Sequence, residues 1–301
     1  MKMKNIIVIS FLILGFASCE RNIDIDLKTG EQKLIVEAYI SNQSPLFTYV
    51  VLSNSLDYYN PNFQSLPAKN ADVSITEGTK QANGSIVWNA ASKVQLVELN
   101  NPLVPVNFRS GFYIDPRIVF DSINALKGRP GKQYRLDILY NNEKYTGYTE
   151  VNIPVLLDSV NYGYPFIDDD SIQKVRITSN YKDPDTLGNA YFYYWRFKEN
   201  RNNFGWAGLR KSGAPGRDDQ TNGEYIRLTH PQPFEYNDTI NYMLTSVSRQ
   251  THVFWDSYNS ARNSGGPFST PVTIKSFIEG KNVLGCFMGL SVSEKTIITR
   301  R

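Results

Sequence analysis

The sequence predicts a mainly β protein, with an N-terminal immunoglobulin-like β-sandwich followed by a second β-rich domain that contains one helix. Short runs of alternating or β-branched residues recur from residue 33 to the end of the chain. Turn-forming pairs such as Asn83-Gly84 and Asn141-Asn142 separate several of these runs. The chain contains 19 Tyr, 16 Phe and 4 Trp, residue types that are enriched in strands. Its 301 residues are enough for two compact units.

The first 32 residues predict export and attachment to a membrane. Residues 1–18 combine a basic start, a short apolar run and small residues, which is the layout of a signal peptide. The small residues before Cys19 resemble the lipobox of bacterial lipoproteins, in which the thiol is acylated and becomes the mature N-terminus. An ordinary signal followed by an unmodified cysteine is the alternative. Residues 19–32 are then a lipid-anchored tether.

The first domain is expected over residues 33–154. Its short strands are separated by polar turns and almost no helix is indicated, which favours an immunoglobulin-like sandwich. The predicted strands cover residues 33–40, 47–54, 71–77, 85–89, 93–99, 133–140 and 143–151.

The second domain is expected over residues 155–301, after the break at Pro154. Its predicted strands cover residues 160–164, 174–181, 191–198, 224–229 and 239–247, with one or two more in 284–298. Segment 191–198 is bulky on both faces, which favours a central strand. A helix is predicted near residues 249–262 with Ser248 as its N-cap, and its apolar stripe favours core packing over ligand binding.

The composition narrows the classes of function. The formal charge of +3 falls to 3 − 2 = +1 when the two lysines of residues 1–18 are removed, so we expect no nucleic-acid partner. Cys286 is the only cysteine after Cys19 and is predicted to be a small buried hydrophobe. His230 and His252 are the only histidines, and no Cys or His cluster is present, so we expect neither a metal nor a cofactor.

The motifs that resemble catalytic or binding signatures are incomplete. Residues 289–293 are similar to a nucleophile elbow but lack its second glycine. Residues 183–188 share positions with a calcium loop, yet Leu187 and Tyr194 stand where ligands are required, so a turn between strands is the better interpretation. The protein is therefore predicted not to be an enzyme.

Asp-Ser/Thr-apolar tripeptides recur and allow two interpretations. They resemble acceptor sites of protein O-glycosylation in Bacteroidota, and they also suit turns that open a following strand. The tripeptides begin at Asp121, Asp158, Asp170, Asp185 and Asp238.

Two aromatic loops are the candidate contact surfaces for a partner. Residues 201–223 form a long glycine-containing stretch, and residues 56–68 form a second one. An exposed tryptophan often anchors an interface, although Trp206 could equally fold back onto its own domain. The candidate contacts are Trp206 and Phe204 in the first loop and Tyr58, Tyr59 and Phe63 in the second.

The order of several sequence blocks together resembles one family. The blocks are Cys19-Glu20, residues 23–27, 34–37, 51–53, 131–136, 154–160, 193–196, 254–255, 265–269 and 284–287. This order resembles the Bacteroidota outer-membrane lipoproteins catalogued as domain of unknown function four-two-four-nine. The resemblance implies a lipoprotein that is often encoded beside a TonB-dependent transporter, and it brings no catalytic residues.

The predicted function follows from the anchor and this resemblance. We expect a non-enzymatic lipoprotein of the outer membrane, held in lipid through acylated Cys19, exposed at the cell surface and accessory to a TonB-dependent transporter in substrate capture or uptake. A stand-alone surface lipoprotein that binds glycans or peptides is the alternative.

Overall fold

The computed structural model describes residues 31–56, 62–99, 111–167, 171–197, 210–211, 216–264, 270 and 272–300. The chain divides into two units, Met1–Glu31 and Gln32–Arg301. The architecture below is that of the second unit.

Strands dominate this unit. Those of its N-terminal half are β1 (Leu34–Ser41), β2 (Tyr49–Asn54), β3 (Asp72–Lys80), β4 (Ile86–Trp88), β5 (Val94–Glu98), β6 (Phe112–Ile114), β7 (Lys132–Tyr140) and β8 (Glu143–Val151). The other described strands are β9 (Leu157–Tyr162), β10 (Phe166–Ile167), β11 (Gln173–Lys182), β12 (Ala190–Phe197), β13 (Arg210–Lys211), β14 (Gly216–Arg217), β15 (Tyr225–Glu235), β16 (Thr239–Val247), β17 (Ile278–Glu279) and β18 (Val283–Ile298). The described helices are α1 (Arg249–Asn263) and short 3-10 helices at Pro45–Phe47, Phe63–Ser65, Ala90–Ser92 and Pro116–Ile118.

Most of the strands join one sheet in the order β13-β12-β16-β18-β1-β2-β6-β5-β3-β7-β8-β17. This sheet folds over itself, because Gly289 of β18 packs against the backbone of Glu150 in β8. The first hydrophobic core lies between the two layers that result. It joins residues of β1 and β2, such as Val36 and Leu52, to residues of β7, such as Leu136.

A second core covers the other face of the same sheet. Tyr39 of β1, Met288 of β18 and Phe192 of β12 lie in it, and Phe254 and Trp255 of α1 pack against it. Phe254 and Trp255 therefore pack on the sheet as the spacing of the stripe predicted, whereas Tyr258 of the same stripe is exposed.

A third core lies between the end of the large sheet and a small sheet formed by β9, β10, β11 and β15. Tyr191, Tyr193 and Trp195 of β12 face this core, whereas Phe192 and Tyr194 face the second core. Both faces of β12 are thus buried, as its bulky residues predicted. A strand also lies on each side of β12, as expected for a central strand: β16 pairs along its whole length, and the two-residue strands β13 and β14 cover parts of its other edge. The small sheet covers the face of β12 that lies in the third core.

The C-terminal strand β18 joins the two halves of the unit. Val283 to Leu290 pair in parallel with β1, and Leu290 to Ile298 pair antiparallel with β16. Strands from both sides of residue 154 therefore share one sheet. A division into two domains at this residue, and an immunoglobulin-like strand order in the first of them, remain predictions.

The elements with strong local signals match their predicted positions. Gly84 and Asn141-Asn142 adopt positive φ angles in the β3–β4 and β7–β8 turns, and Ser248 caps α1. Residues 284–298 belong to one strand. The short strands β6, β10, β13, β14 and β17 were not predicted.

Candidate functional site

Most of the residues predicted to make contacts fall outside the part of the chain that the structure describes. This applies to Cys19, Tyr58, Tyr59, Phe204 and Trp206. Phe63 is described, and its side chain is 70% exposed. It is therefore available to a partner, as predicted for an interface residue.

The segment that carries Phe63 is fixed to the start of the sheet. The 3-10 helix Phe63–Ser65 is followed by Leu66, whose carbonyl oxygen accepts a hydrogen bond from the Asn54 backbone N–H at 2.7 Å. The Asn54 side-chain amide donates to the Ser65 carbonyl oxygen at 2.9 Å. Asn54 pairs with Leu34, the first residue of β1. Phe63 therefore projects near the point where the chain enters the folded unit.

A polar cavity of about 180 Å³ lies at this same end of the sheet. Asn54 links it to the Phe63 segment, because its amide also donates to the Tyr140 hydroxyl at 3.3 Å. Lys33, Lys281 and Glu143 bring charges of both signs to the cavity. The other lining residues are Gln32, Leu34, Asn141, Tyr145 and Asn282. The arrangement offers hydrogen bonds and a small positive excess, two lysines against one glutamate, to a small polar molecule.

Phe63 and Phe197, described residues in or before the two predicted contact loops, lie near opposite ends of β18. Leu34 pairs with Val283 at the start of β18, next to the Phe63 segment. Phe197, which precedes the 201–223 loop, pairs with Ile240, and Ile240 pairs with Ile297 near the end of β18. Phe63 therefore lies near the start of the 16-residue strand β18, whereas Phe197 lies beside its end.

Within the described residues, three strongly exposed apolar side chains lie in another loop, which the sequence analysis named only for its Asp121 tripeptide and not as a contact surface. Val119, Phe120 and Ile123 are 81%, 75% and 93% exposed. We call these three residues the apolar projection. The loop follows β6 and returns to β1, where the Gly128 N–H donates to the Ser41 carbonyl oxygen at 2.7 Å.

Buried Asp115 holds the base of the apolar projection. Its Oδ1 accepts from the Arg117 backbone N–H at 2.9 Å, and its Oδ2 accepts from the Arg117 guanidinium at 2.7 Å and from the Leu126 N–H at 2.6 Å. Burial alone would raise the pKa of the Asp115 carboxyl, but these hydrogen bonds outweigh burial and lower the pKa. A carboxylate that ties both sides of the loop together makes the projection a defined surface.

The buried histidine His230 lies within the third core and not in a cleft. Its Nε2 is 2.6 Å from the Tyr242 hydroxyl, and that hydroxyl donates to Ser179 Oγ at 3.0 Å. The rings of Tyr193 and Trp195 also pack beside it. Burial lowers the pKa of His230 to about 4, so the ring is neutral near neutral pH. Only 1% of this residue is exposed, which leaves no access for a substrate.

The other residues that the sequence offered for metal binding or reactivity, Asp183 and Cys286, have structural roles. Asp183 lies at the turn between β11 and β12, where it accepts hydrogen bonds from the Tyr191 hydroxyl and, at 3.1 Å, from the Gly223 N–H. No group of three His, Cys, Asp or Glu residues suited to a metal ion occurs within the described ranges. Cys286 is a buried free thiol whose pKa is raised to about 12 by burial, which confirms its prediction as a small core residue.

Comparison with known proteins identifies the chain at the level of a family. The model of the family described as "Domain of unknown function (DUF4249)" matches residues 20–296. No curated protein matches the chain. Within the described part of the structure, no helix has the length and apolar character needed to cross a membrane.

Proposed function

This chain belongs to the DUF4249 family, and we propose that it is a non-enzymatic outer-membrane lipoprotein that helps a TonB-dependent transporter to capture or admit its substrate. The observation that carries the proposal is the apolar projection of Val119, Phe120 and Ile123. Contiguous apolar surface that remains exposed on a folded protein marks interaction sites. The proposed role is docking, with the projection as the contact.

The local structure of the projection fits this role. Phe120 and Asp121 donate backbone hydrogen bonds to the Arg117 carbonyl oxygen, and Asn124 donates to that of Asp121. The three apolar side chains are therefore held in a compact turn above the buried Asp115 carboxylate. A preorganised loop loses less conformational entropy on binding than a flexible one, so more of its contact energy contributes to affinity.

The projection and the point where the chain enters the folded unit lie at opposite ends of β1. The chain enters β1 at Leu34, whereas the loop of the projection is tied to Ser41 at the other end of this strand. Eight strand residues span about 26 Å at about 3.3 Å per residue. Anchorage through Cys19 then supplies a high effective concentration beside a partner in the same membrane.

Co-purification from native membranes tests the proposal. A tagged chain is isolated from detergent-solubilised outer membrane, and the proteins recovered with it are quantified by mass spectrometry. We expect a TonB-dependent transporter with the wild type and at least a tenfold loss of it with the double variant Phe120→Ser/Ile123→Ser. Leu187→Ser is the matched control, because Leu187 is 78% exposed in a different loop. Recovery of no transporter with the wild type, or equal recovery with the double variant, would refute the proposal.

The anchor is tested separately with Cys19→Ala. The wild type should fractionate with the outer membrane and carry an intact mass greater than that of the polypeptide from residue 19 by the mass of its acyl chains. Cys19→Ala should leave the membrane fraction, because the acyl chains supply the apolar area that holds a lipoprotein in a bilayer. An unmodified wild-type thiol would contradict this part of the proposal.

A further inference from the structure

The outer face of strands β4, β3, β7 and β8 carries an aromatic pair that the first core does not use. The rings of Trp88 in β4 and Tyr148 in β8 lie with centroids 5.9 Å apart and tilted by 38°. The Arg135 guanidinium carbon is 5.3 Å from the centroid of the Trp88 ring. Tyr148 is 39% exposed and Trp88 is half-buried, so solvent reaches the pair mainly at Tyr148.

Gly78 of β3 makes room for the tryptophan. Gly78 is paired with Trp88, and a Cβ atom at this glycine would lie 2.6 Å from Trp88 Cε3 and 2.8 Å from Ile86 Cγ2. Such distances are too short for any side chain, so the indole can cross β3 only because residue 78 is glycine. The ring thereby reaches Tyr148, which lies two strands further along the sheet.

Polar residues of β7 and β8 lie beside the two rings. Arg135 lies directly across from Tyr148, and its Nε donates to Asp137 Oδ2 at 2.9 Å. Gln133 lies across from Glu150, and its amide donates to Glu150 Oε2 at 2.5 Å. The positive charge of Arg135 is therefore balanced by Asp137, and the Glu150 carboxylate adds an acceptor beside the aromatic pair.

We propose that this aromatic face, made of Trp88, Tyr148, Arg135, Asp137 and Glu150, binds a neutral carbohydrate. The C–H face of a sugar ring is apolar and stacks on aromatic rings, whereas its hydroxyls are both donors and acceptors. The inference rests on the proposed function only in assigning the sugar as the captured substrate. The binding itself requires no transporter.

The charges and side chains around the aromatic pair suit two other classes of ligand less well. A nucleic acid or an acidic polysaccharide needs unpaired cations to offset its anionic groups, whereas Arg135 here is already matched by Asp137. A protein partner of ordinary affinity needs a central apolar cluster that becomes fully desolvated. On this face polar residues lie on both sides of the aromatic pair, which suits a ligand made of hydroxyls.

The test uses the purified full chain in affinity electrophoresis through gels that contain xyloglucan, β-mannan, arabinoxylan or glycogen, with polygalacturonate as the acidic probe. We expect retardation by at least one neutral polysaccharide. Tyr148→Ala should weaken it at least tenfold, whereas Tyr148→Phe keeps the ring and should retain it. Tyr258→Ala is the matched control, since Tyr258 is 37% exposed but lies on α1. Trp88→Ala removes the other ring and should also weaken retardation. Its melting temperature is measured to confirm that this variant is folded.

Three results would overturn the proposal. These are no retardation by any neutral polysaccharide, retardation that survives both Tyr148→Ala and Trp88→Ala in folded proteins, and binding of polygalacturonate alone. A change of oligomeric state in Tyr148→Ala without loss of sugar binding would instead identify the face as an interface between copies of this chain. Phe120→Ser/Ile123→Ser should bind sugar like the wild type, so failure of sugar binding and failure of transporter docking are distinguishable.

Discussion

His230 couples the stability of the third core to pH. Its pKa is lowered from 6.5 to about 4 in the folded protein because burial disfavours the charged ring. The unfolded chain therefore binds the proton more tightly between these two pH values. The contribution of neutral His230 to the free energy of unfolding is fully present above about pH 6.5 and is lost as the pH falls towards 4. At about 1.4 kcal/mol per pH unit, the total loss is about 3 kcal/mol.

Replacing His230 by Gln removes this titration while keeping a polar partner for Tyr242. Urea unfolding at pH 7, 5.5 and 4.5 should show that His230→Gln loses less stability on acidification than the wild type does. His252→Gln is the comparison, because His252 is also buried and the His230 contribution should persist in it. Equal acid sensitivity in wild type and His230→Gln would show that His230 is not the titrating group.

At the residue scale, burial was more predictable than exposure. Cys286 lies in an apolar run, and its burial follows from that neighbourhood. Val119, Phe120 and Ile123 are also apolar, and nothing in their local pattern says that they remain outside a core. Their exposure depends on Asp115, which closes the loop through contacts with residues on both sides. Such closure is a tertiary property that local sequence does not specify.

At the scale of elements, the cap of α1 is a local signal with a measurable effect. Ser248 Oγ accepts a hydrogen bond from the Thr251 N–H at 3.2 Å, which satisfies one of the free donors of the first turn. Ser248→Ala should lower the free energy of unfolding by about 1 kcal/mol. Chemical denaturation at constant pH measures this difference.

Ser260→Ala makes the same chemical change in an exposed position of the same helix. Alanine has the higher helix propensity, so Ser260→Ala should be neutral or stabilising by up to about 0.5 kcal/mol. A loss of stability equal to that of Ser248→Ala would show that the hydroxyl at the cap has no special role.

Elements stabilised by residues close in sequence were predicted, whereas short strands that depend on distant partners were not. The β3–β4 and β7–β8 hairpins and α1 depend on neighbours in sequence, and each was predicted. Strand β6 has three residues and exists because β2 and β5 flank it, and β17 has two residues and pairs with β8. Short strands of this kind carry little periodicity of their own, so distant partners decide whether they form.

At the scale of the whole molecule, stacking of sheets explains what strand patterns could not. The alternation in β12 correctly indicated burial on both faces, but the same pattern fits a central strand and a strand covered by a second sheet. The arrangement of residues on the aromatic face was likewise not foreseen, because Trp88 and Tyr148 are 60 residues apart in sequence, as their numbers show. Sequence predicted the class of fold, whereas the surfaces arise from pairings across the chain.

The pairing of β18 with both β1 and β16 makes folding of the two halves interdependent. Residues 32–154 alone would lack the parallel partner of β1, together with Ile278 and Phe287 of the first core. The exposed edge of β1 and the missing core atoms would remove most of the small net stability of such a domain.

We therefore expect the 32–154 fragment to lack dispersed amide resonances and a cooperative unfolding transition. Addition of a peptide covering residues 276–298 should restore both in part, because it returns the missing strand and core side chains. The intact chain from residue 32 should unfold in a single transition that is the same by fluorescence and circular dichroism. If the fragment alone folds cooperatively, the first half is an autonomous domain, and β18 is an addition to a core that is already complete.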